Sequence, residues 1–337
     1  MKFKILSIIS LIFIFFLILF YTYCFLQKSF IIEVFKSYTS TSSKIDKDLI
    51  NQLYHNNTEI STAAEKEIIK ITLTAIGYEK WQEYVEHIQL KVYTEEVLPT
   101  NSENLIVALN LSKDLAVVAI FEDSSKEYVF YDKIENLLPI NNLEFLTTTP
   151  PSNKMLLIYQ TLDEKLGAYL HKEILQIYQY SPENFKIAWE KTLSYEEIYK
   201  ETWIDPKADI NLWNKIIEKT TIDFVEGNPN KINTSTVLEK HISTSSKFPS
   251  AEDFALIQIE NFEHSYQWNE KYNRFVLGII AKEVFLSEIA LLEDMTKEHA
   301  KFYGIMNNNF KVINSKNEIL YLPKNQFETM FKSLLEQ

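Results

Sequence analysis

The sequence predicts an α+β fold dominated by strands: antiparallel meanders, in part propeller-like, behind an N-terminal transmembrane helix and closed by a C-terminal helix and hairpin. Three observations carry this. Residues 5–27 hold no charged side chain. From Ile88 to Glu260 short apolar or alternating runs recur between polar turns, and the longer period-3.6 apolar patterns lie in the segments on either side.

The uncharged run lies between Lys4 and Lys28. At about 1.5 Å per helical residue it reaches roughly 34 Å, enough for a hydrocarbon core of about 30 Å. A cleaved signal peptide needs a shorter apolar region and a small-x-small exit, whereas this run leaves through Tyr21, Thr22, Tyr23 and Cys24. Lipidation at Cys24 would want Gly, Ala or Ser where Tyr23 stands. The expectation is an uncleaved single-pass anchor whose partner is the lipid bilayer. Lys2 and Lys4 precede the span and Lys28 and Lys36 follow it, a bias that puts the N-terminus in the cytoplasm and the rest outside the cell membrane.

On this reading residues 1–28 are the anchor and 29–60 a stalk, rich in Ser, Thr, Lys and Asn over 36–60. Residues 61–265 make a helix followed by β-meanders, and 266–337 a helix, hairpin and helix of the same ectodomain. Thr62 and Glu65 make a capping-box pattern, followed at helical spacing by Ile68, Ile69, Leu73 and Ile76 up to Gly77, with Trp81, Tyr84 and Val85 continuing. From Ile88 the period is two. Leu105–Leu111 and Leu115–Phe121 are nearly continuous apolar runs around Ser112, Lys113 and Asp114, the pattern of a hairpin covered on both faces. Tyr128–Tyr131 offers a third strand.

Leu143–Thr147, Lys154–Thr161, Glu173–Tyr180 and Phe185–Leu193 read as four successive strands, the last with Phe185, Ile187, Trp189 and Leu193 on one face. Thr220–Glu226, Lys231–Ile242 and Phe254–Glu260 extend the β-rich stretch, with Ser243–Ser250 as a loop. Val284, Phe285, Ile289, Leu292 and Met295 mark an amphipathic helix. Phe310–Ile313 and Ile319–Leu322 make a hairpin, and Phe327, Phe331 and Leu334 a last short helix.

Across 142–193 the succession of strands, ending in Ile174–Tyr180 and Phe185–Trp189, resembles one blade of an integrin-type, FG-GAP-like β-propeller. It departs from that family in lacking the calcium loop of closely spaced Asp and Asn that ends in Asp-Gly. The longer order of segments resembles uncharacterised membrane-anchored proteins of low-GC Gram-positive bacteria, a resemblance that implies no activity.

Composition excludes several chemistries. Cys24 is the lone cysteine and ends the apolar run, so the ectodomain has no disulfide, thiol nucleophile or cysteine-ligated metal. The five glycines are never close together, which removes phosphate-cradling loops, dinucleotide fingerprints and Gly-x-Ser-x-Gly elbows. Net charge is −12 and Arg274 is the single arginine, so nucleic acid is a poor partner. The six histidines are scattered, with no pair at ligand spacing.

Asp205 and Asp209, around Pro206, Lys207 and Ala208, are the best candidates for a cation loop, set against the reading that carboxylates in so acidic a chain are solvated turns. Tyr195, Tyr199 and Trp203 have helical spacing just after a strand and are the aromatics expected to be partly exposed, as a ligand or partner surface. The expected function is non-enzymatic: a tethered extracytoplasmic binding or assembly protein with another envelope protein as partner and no cofactor. The alternative is a hydrolase of wall glycan or peptide acting through Asp and Glu. A flat exposed apolar patch favours the first and convergent carboxylates in a deep groove the second.

Removal of residues 1–30 is expected to release soluble protein, while the native chain keeps its original N-terminus. N-terminal sequencing of membrane-derived material checks this, and a mature terminus beyond Cys24 would contradict it.

Overall fold

The computed structural model describes residues 44–100, 102–147, 153–165, 169–181, 184–227, 230–280, 288–295, 309–323 and 325. The expected anchor, the first part of the stalk and the last helix lie outside the described residues. Among these residues no helix is long and apolar enough to cross a membrane. The chain divides into two compact units, residues 1–86 with 124–130, and residues 87–123 with 131–337.

In the first unit, β1 (Lys44–Asp46) pairs with the start of β5 (Glu127–Leu137), Ile45 opposite Tyr128, beside α1 (Lys47–Leu53) and α2 (Thr58–Ala75). Residues 44–60, expected as stalk, therefore fold. Their Ser- and Thr-poor part supplies the caps: Asp46 accepts from Asp48 N–H at 2.9 Å and Asn57 from Glu59 N–H at 2.9 Å. Helix α2 thus begins four residues before Thr62. Buried Ile45, Ile50, Ile68, Ile69 and Leu73 hold the unit together. Gly77 ends the helix in the left-handed region at φ +79°, where Tyr78 N–H reaches back to Leu73 O at 2.7 Å. Where the aromatic spacing suggested a continued helix, the chain makes 3-10 turns over Glu79–His87 with a kink at Tyr84.

The second unit is antiparallel throughout its ladders. β2 (Gln89–Glu95), β3 (Asn104–Asn110) and β4 (Ala116–Ser124) form a meander in which Leu105 faces Phe121, and Leu105–Leu109 and Ala116–Phe121 are buried residue by residue, as strands covered on both faces require. Next come β6 (Ile140–Leu146), β7 (Met155–Glu164), β8 (Tyr169–Ser181), β9 (Asn184–Lys200), β10 (Leu212–Val225), β11 (Lys231–Thr244), β12 (Ala255–Asn269) and β13 (Arg274–Val276), neighbours in chain order within one eight-stranded sheet. The four-strand meander at 142–193 therefore runs on into β10, with Lys200 opposite Trp213.

This sheet folds over itself. The β9–β10 ladder stops at Ser194 opposite Lys219, and at that level the β8–β9 register slips, with Glu173 facing Ser194 but Ile174 facing Thr192. Beyond the bulge, β7, β8 and β9 lie across from β10–β13: Met155, Leu157, Leu175, Ile177 and Trp189 pack with Ile232, Tyr266 and Phe275. The outer face of the same strands, through Leu156, Ile158, Tyr178 and Phe185, packs on Val97, Ile106, Val118 and Ile134. β6–β9 are thus the middle of three layers.

A second slip corrects the expectation that Phe185, Ile187, Trp189 and Leu193 share a face. Tyr178 faces Ile187 whereas Ile177 faces Trp189, so Ala188 is an extra residue. Phe185 and Ile187 consequently join the outer core, while Trp189 and Leu193 join the inner one.

A four-stranded sheet completes the unit: β14 (Gly278–Ile280), β15 (Ile289–Asp294), β16 (Asn309–Asn314) and β17 (Ile319–Pro323). The expected helix over Val284–Met295 is a strand where it is described. Ile289 and Leu291 pack with Phe310 and Val312, whereas Ala290 and Leu292 pack with Tyr272 and Ile313, an alternation of period two. The β16–β17 hairpin agrees with its apolar pattern, Ile313 facing Ile319.

Trp189 is 4% exposed and stacks edge-on with Tyr266 at 5.4 Å, and its Nε1 is buried without a hydrogen-bond partner. Trp189→Ala is expected to cost about 3–5 kcal/mol in denaturant-monitored unfolding, and Trp189→Phe clearly less, because it also removes the unpaired N–H.

Candidate functional site

One end of the eight-stranded sheet, where β9 turns into β10 and β11 into β12, carries exposed aromatic surface. Trp213 is buried there and donates from Nε1 to the Ser245 carbonyl at 3.0 Å. Its indole meets two rings edge-on, Trp203 at 6.2 Å and Phe248 at 5.3 Å, with Lys200 Nζ 4.9 Å from its centre. Trp203 and Phe248 are each 53% exposed. A 3-10 turn, Glu201–Trp203, holds Trp203 out: Ile204 and Asp205 N–H both return to the Glu201 carbonyl at 2.9 Å, and the Glu201 side chain accepts from Asn214. Isolated exposed apolar residues need no explanation, whereas neighbouring rings braced by a buried one form a surface.

Strand β12 starts at the same end. Its ladder with β11 runs from Ala255 to Gln267, but β13 covers just Gln267–Asn269, and among the described residues no strand pairs with the other side of Ala255–Ile259. Leu256, Ile257 and Ile259 are each about half exposed. A bulge makes Ile257 the extra residue opposite the Lys240–His241 step and re-aims its side chain and that of Leu256. Phe254–Ile259 contains no charge and no proline; Glu252 and Asp253 precede it and Glu260 and Glu263 follow. Ser250 donates from N–H and Oγ to Asp253 Oδ2 at 2.7 and 2.8 Å, which holds that carboxyl below its usual range.

A second feature is an open groove of about 620 Å³ on the outward face of β10–β12, presenting Thr221, Asp223, Asn233, Ser235, Glu263 and Ser265. Ser265 Oγ donates to Asn233 Oδ1 at 2.8 Å. Asp223 and Glu263 stand on strands separated by β11 and offset by two residues. Sheet spacing puts their Cα atoms about 12 Å apart. Both are exposed.

A smaller cavity of about 100 Å³ is lined by Trp189, Glu190, Arg274, Phe275, Glu293 and Lys311 among others. Burial pulls the Arg274 guanidinium down, opposed by Glu190, and Lys311 lies 3.8 Å from Glu293, so cations and carboxylates balance there.

The residues singled out from the sequence separate. Tyr195 and Tyr199 were expected to be partly exposed, but they are 7% and 4% exposed and face inward with Ile216 and Leu238. Strand β9 continues through them, so their spacing of four is two strand repeats and not a helical turn. Trp203 is exposed as expected. Asp205 and Asp209 lie in the β9–β10 connection, where each turns its own backbone: Asp205 Oδ1 accepts from Lys207 N–H at 3.0 Å and Asp209 Oδ1 from Asn211 N–H at 2.8 Å. Among the described residues no group of three His, Cys, Asp or Glu gathers as metal ligands. The sequence reading missed the β12 edge, because an apolar run such as Phe254–Ile259 looks the same buried or unpaired; flanking acidic residues were its one signal.

No protein-family model matches the chain, and no match is found among curated proteins or solved structures.

Phenols that are buried or hydrogen-bonded give the fold an alkaline limit. Burial is the main cause that raises Tyr159, to about 12, and the hydrogen bond shared with Tyr180 is the main one that raises Tyr131, also to about 12. Tyr178, Tyr195 and Tyr199 are raised chiefly by burial. Because the unfolded phenols ionise near 10.0 and the folded ones later, the stability present below that pH is lost as pH climbs from about 10 to about 12. Circular dichroism and phenolate absorbance are expected to change together in that window.

Proposed function

We propose that this chain is a membrane-tethered extracytoplasmic protein that acts by binding another envelope protein or organising an assembly, through the sheet end that bears Trp203, Phe248 and the β12 edge. The observation that supports this most is β12 itself. Sheet edges are commonly blunted with lysine, proline or covering elements, because their unpaired N–H and C=O groups recruit other strands. Ala255–Ile259 carries neither lysine nor proline, and it keeps its apolar side chains in solvent at the sheet end that also bears exposed rings. In an acidic chain, an uncharged exposed strip of this kind suits a contact surface better than a solvated one.

The second reading, a hydrolase of wall glycan or peptide, draws support from Asp223 and Glu263 on the walls of the outer groove. Against it, a carboxylate pair for glycoside hydrolysis works within about 5–10 Å, and these two stand on strands that are not neighbours.

Cross-linking and capture of the full-length protein from native membranes is expected to recover one dominant envelope protein, and Phe248→Ala or Ile257→Lys to cut its yield about tenfold with the fold intact. Recovery that neither substitution changes would overturn the binding reading. Turnover of wall glycan or peptide that disappears in Glu263→Gln would establish the hydrolase in its place.

A further inference from the structure

We infer that the small cavity around Arg274 binds a free, small α-amino acid, glycine or alanine, with the ligand's carboxylate held by Arg274 and Lys311 and its ammonium by Glu293. This site is separate from the proposed contact surface and does not rest on it: Arg274 pairs with Asn269, at the opposite end of β12 from Ala255.

Arg274, the single arginine of the chain, is half-buried at the start of β13 and lines the cavity. Among the described residues it makes no hydrogen bond or ion pair; the charge that favours its ionised form against burial is Glu190. Glu190 is itself engaged elsewhere. It accepts from the Gln176 amide, whose Oε1 accepts in turn from Gln160 Nε2 and Tyr178 Oη at 2.8 and 2.9 Å. A guanidinium offers a planar fork of N–H donors, and withdrawing it from water without acceptors is costly. The group that fits the fork is a carboxylate, taken bidentately.

Lys311 and Glu293 stand opposite each other on β16 and β15, with Nζ and Oε2 3.8 Å apart and side chains 23% and 22% exposed. That separation is too wide for a hydrogen bond, so a ligand can place one charge against each without breaking a bond. In an α-amino acid, standard bond lengths set the ammonium nitrogen and the nearer carboxylate oxygen about 3 Å apart. The two charges therefore match a lysine and a glutamate that stand side by side, and the carboxylate can turn its other oxygen to Arg274.

Charge and size select the ligand class. Arg274 and Lys311 are balanced in the cavity wall by Glu190 and Glu293. An anion alone, such as phosphate or acetate, would set its charge against those carboxylates, whereas a zwitterion adds no net charge and pairs both signs. The volume of about 100 Å³ equals about three waters at about 30 Å³ each. Sites for larger organic ligands begin at about 300 Å³. Ala188, Phe275 and Leu292 complete the wall and give a methyl group an apolar place.

Isothermal titration calorimetry of the full-length chain in detergent tests this with glycine and alanine against acetate, methylamine, inorganic phosphate, leucine and the dipeptide Ala-Ala. Glycine or alanine is expected to bind about tenfold or more tighter than each of the others, the order of one lost charge-assisted hydrogen bond. Arg274→Gln is expected to weaken binding about tenfold or more, and Arg274→Lys to weaken it less, because an ammonium keeps the charge without the fork. Glu293→Gln is expected to abolish the preference for alanine over acetate, since the ammonium loses its partner. Circular dichroism checks that each variant keeps its fold, and should Arg274→Gln not fold, Glu293→Gln decides alone. No binding of glycine or alanine, equal binding of acetate or phosphate, or affinities unchanged in both variants would overturn the inference. Equal binding of Ala-Ala would also overturn it, since the site would then read the carboxyl end of a peptide.

Discussion

The architecture of the larger unit depends on the bulge pair in β9. A flat eight-stranded sheet would leave one face of β6–β9 or of β10–β13 in water, since a sheet has two faces and a chain of this size has few helices to cover them. The slip at Thr192–Ser194 ends the pairing with β10 and lets the earlier part of β9 swing across the later strands, which closes an inner core around Trp189, Ile232 and Phe275. The slip at Ala188 then reverses the face of what precedes it, so that Phe185 and Ile187 reach the outer core. Without that one-residue insertion, strand parity would send all four apolar residues inward and leave the outer core without its β9 wall.

The corner has an electrostatic cost. Lys191 and Glu218 flank it, 7% and 2% exposed, with Nζ and Oε1 3.7 Å apart. That separation is a Coulomb contact without a hydrogen bond, in a place where removing either charge from water is expensive. Nearby polar groups are satisfied more closely: Thr220 and Thr236 share a 2.9 Å hydrogen bond across β10 and β11, and Tyr195 donates to Glu197. The polar seam marks where the two halves of the sheet diverge, and it leaves burial of Ile, Leu and aromatic side chains on either side as the main stabilising term.

Much of this fold was legible in the sequence, and the failures have two causes, spacings that fit two periods and composition that resembles a linker. The β3–β4 and β16–β17 hairpins and the strands from β6 to β12 follow from apolar runs whose partners are adjacent in the chain, so local pattern and tertiary pairing agree. Spacings that fit two periods misled. Tyr195, Tyr199 and Trp203, four residues apart, satisfy a helix and also the even spacing of one strand face; Ile289 and Leu292 sit in a run of four apolar residues that helix and strand share. The bulges are invisible for a similar reason: Phe185, Ile187, Trp189 and Leu193 keep the same parity whether or not Ala188 is an extra residue. Residues 44–60 were misread by composition, because Asp46 and Asn57 resemble linker residues until the helices they cap are seen.

The candidate surface was harder to read than the fold, because exposure is a property of what is missing. Phe254–Ile259 has the composition of a core strand, and whether it is core depends on a neighbour that the sequence need not supply. Here β13 pairs over three residues and then leaves for the four-stranded sheet, where Val276 packs with Ala290 and Ile313. Among the described residues, the same departure that anchors the last sheet leaves Ala255–Ile259 without a second strand. Trp203 and Phe248 stay exposed at the same end of the sheet because Trp213, buried beneath them, braces their rings without covering them. Candidate surface and fold thus have a common origin: β13 leads from β12 into the small sheet, and among the described residues no other strand pairs with Ala255–Ile259 on that side.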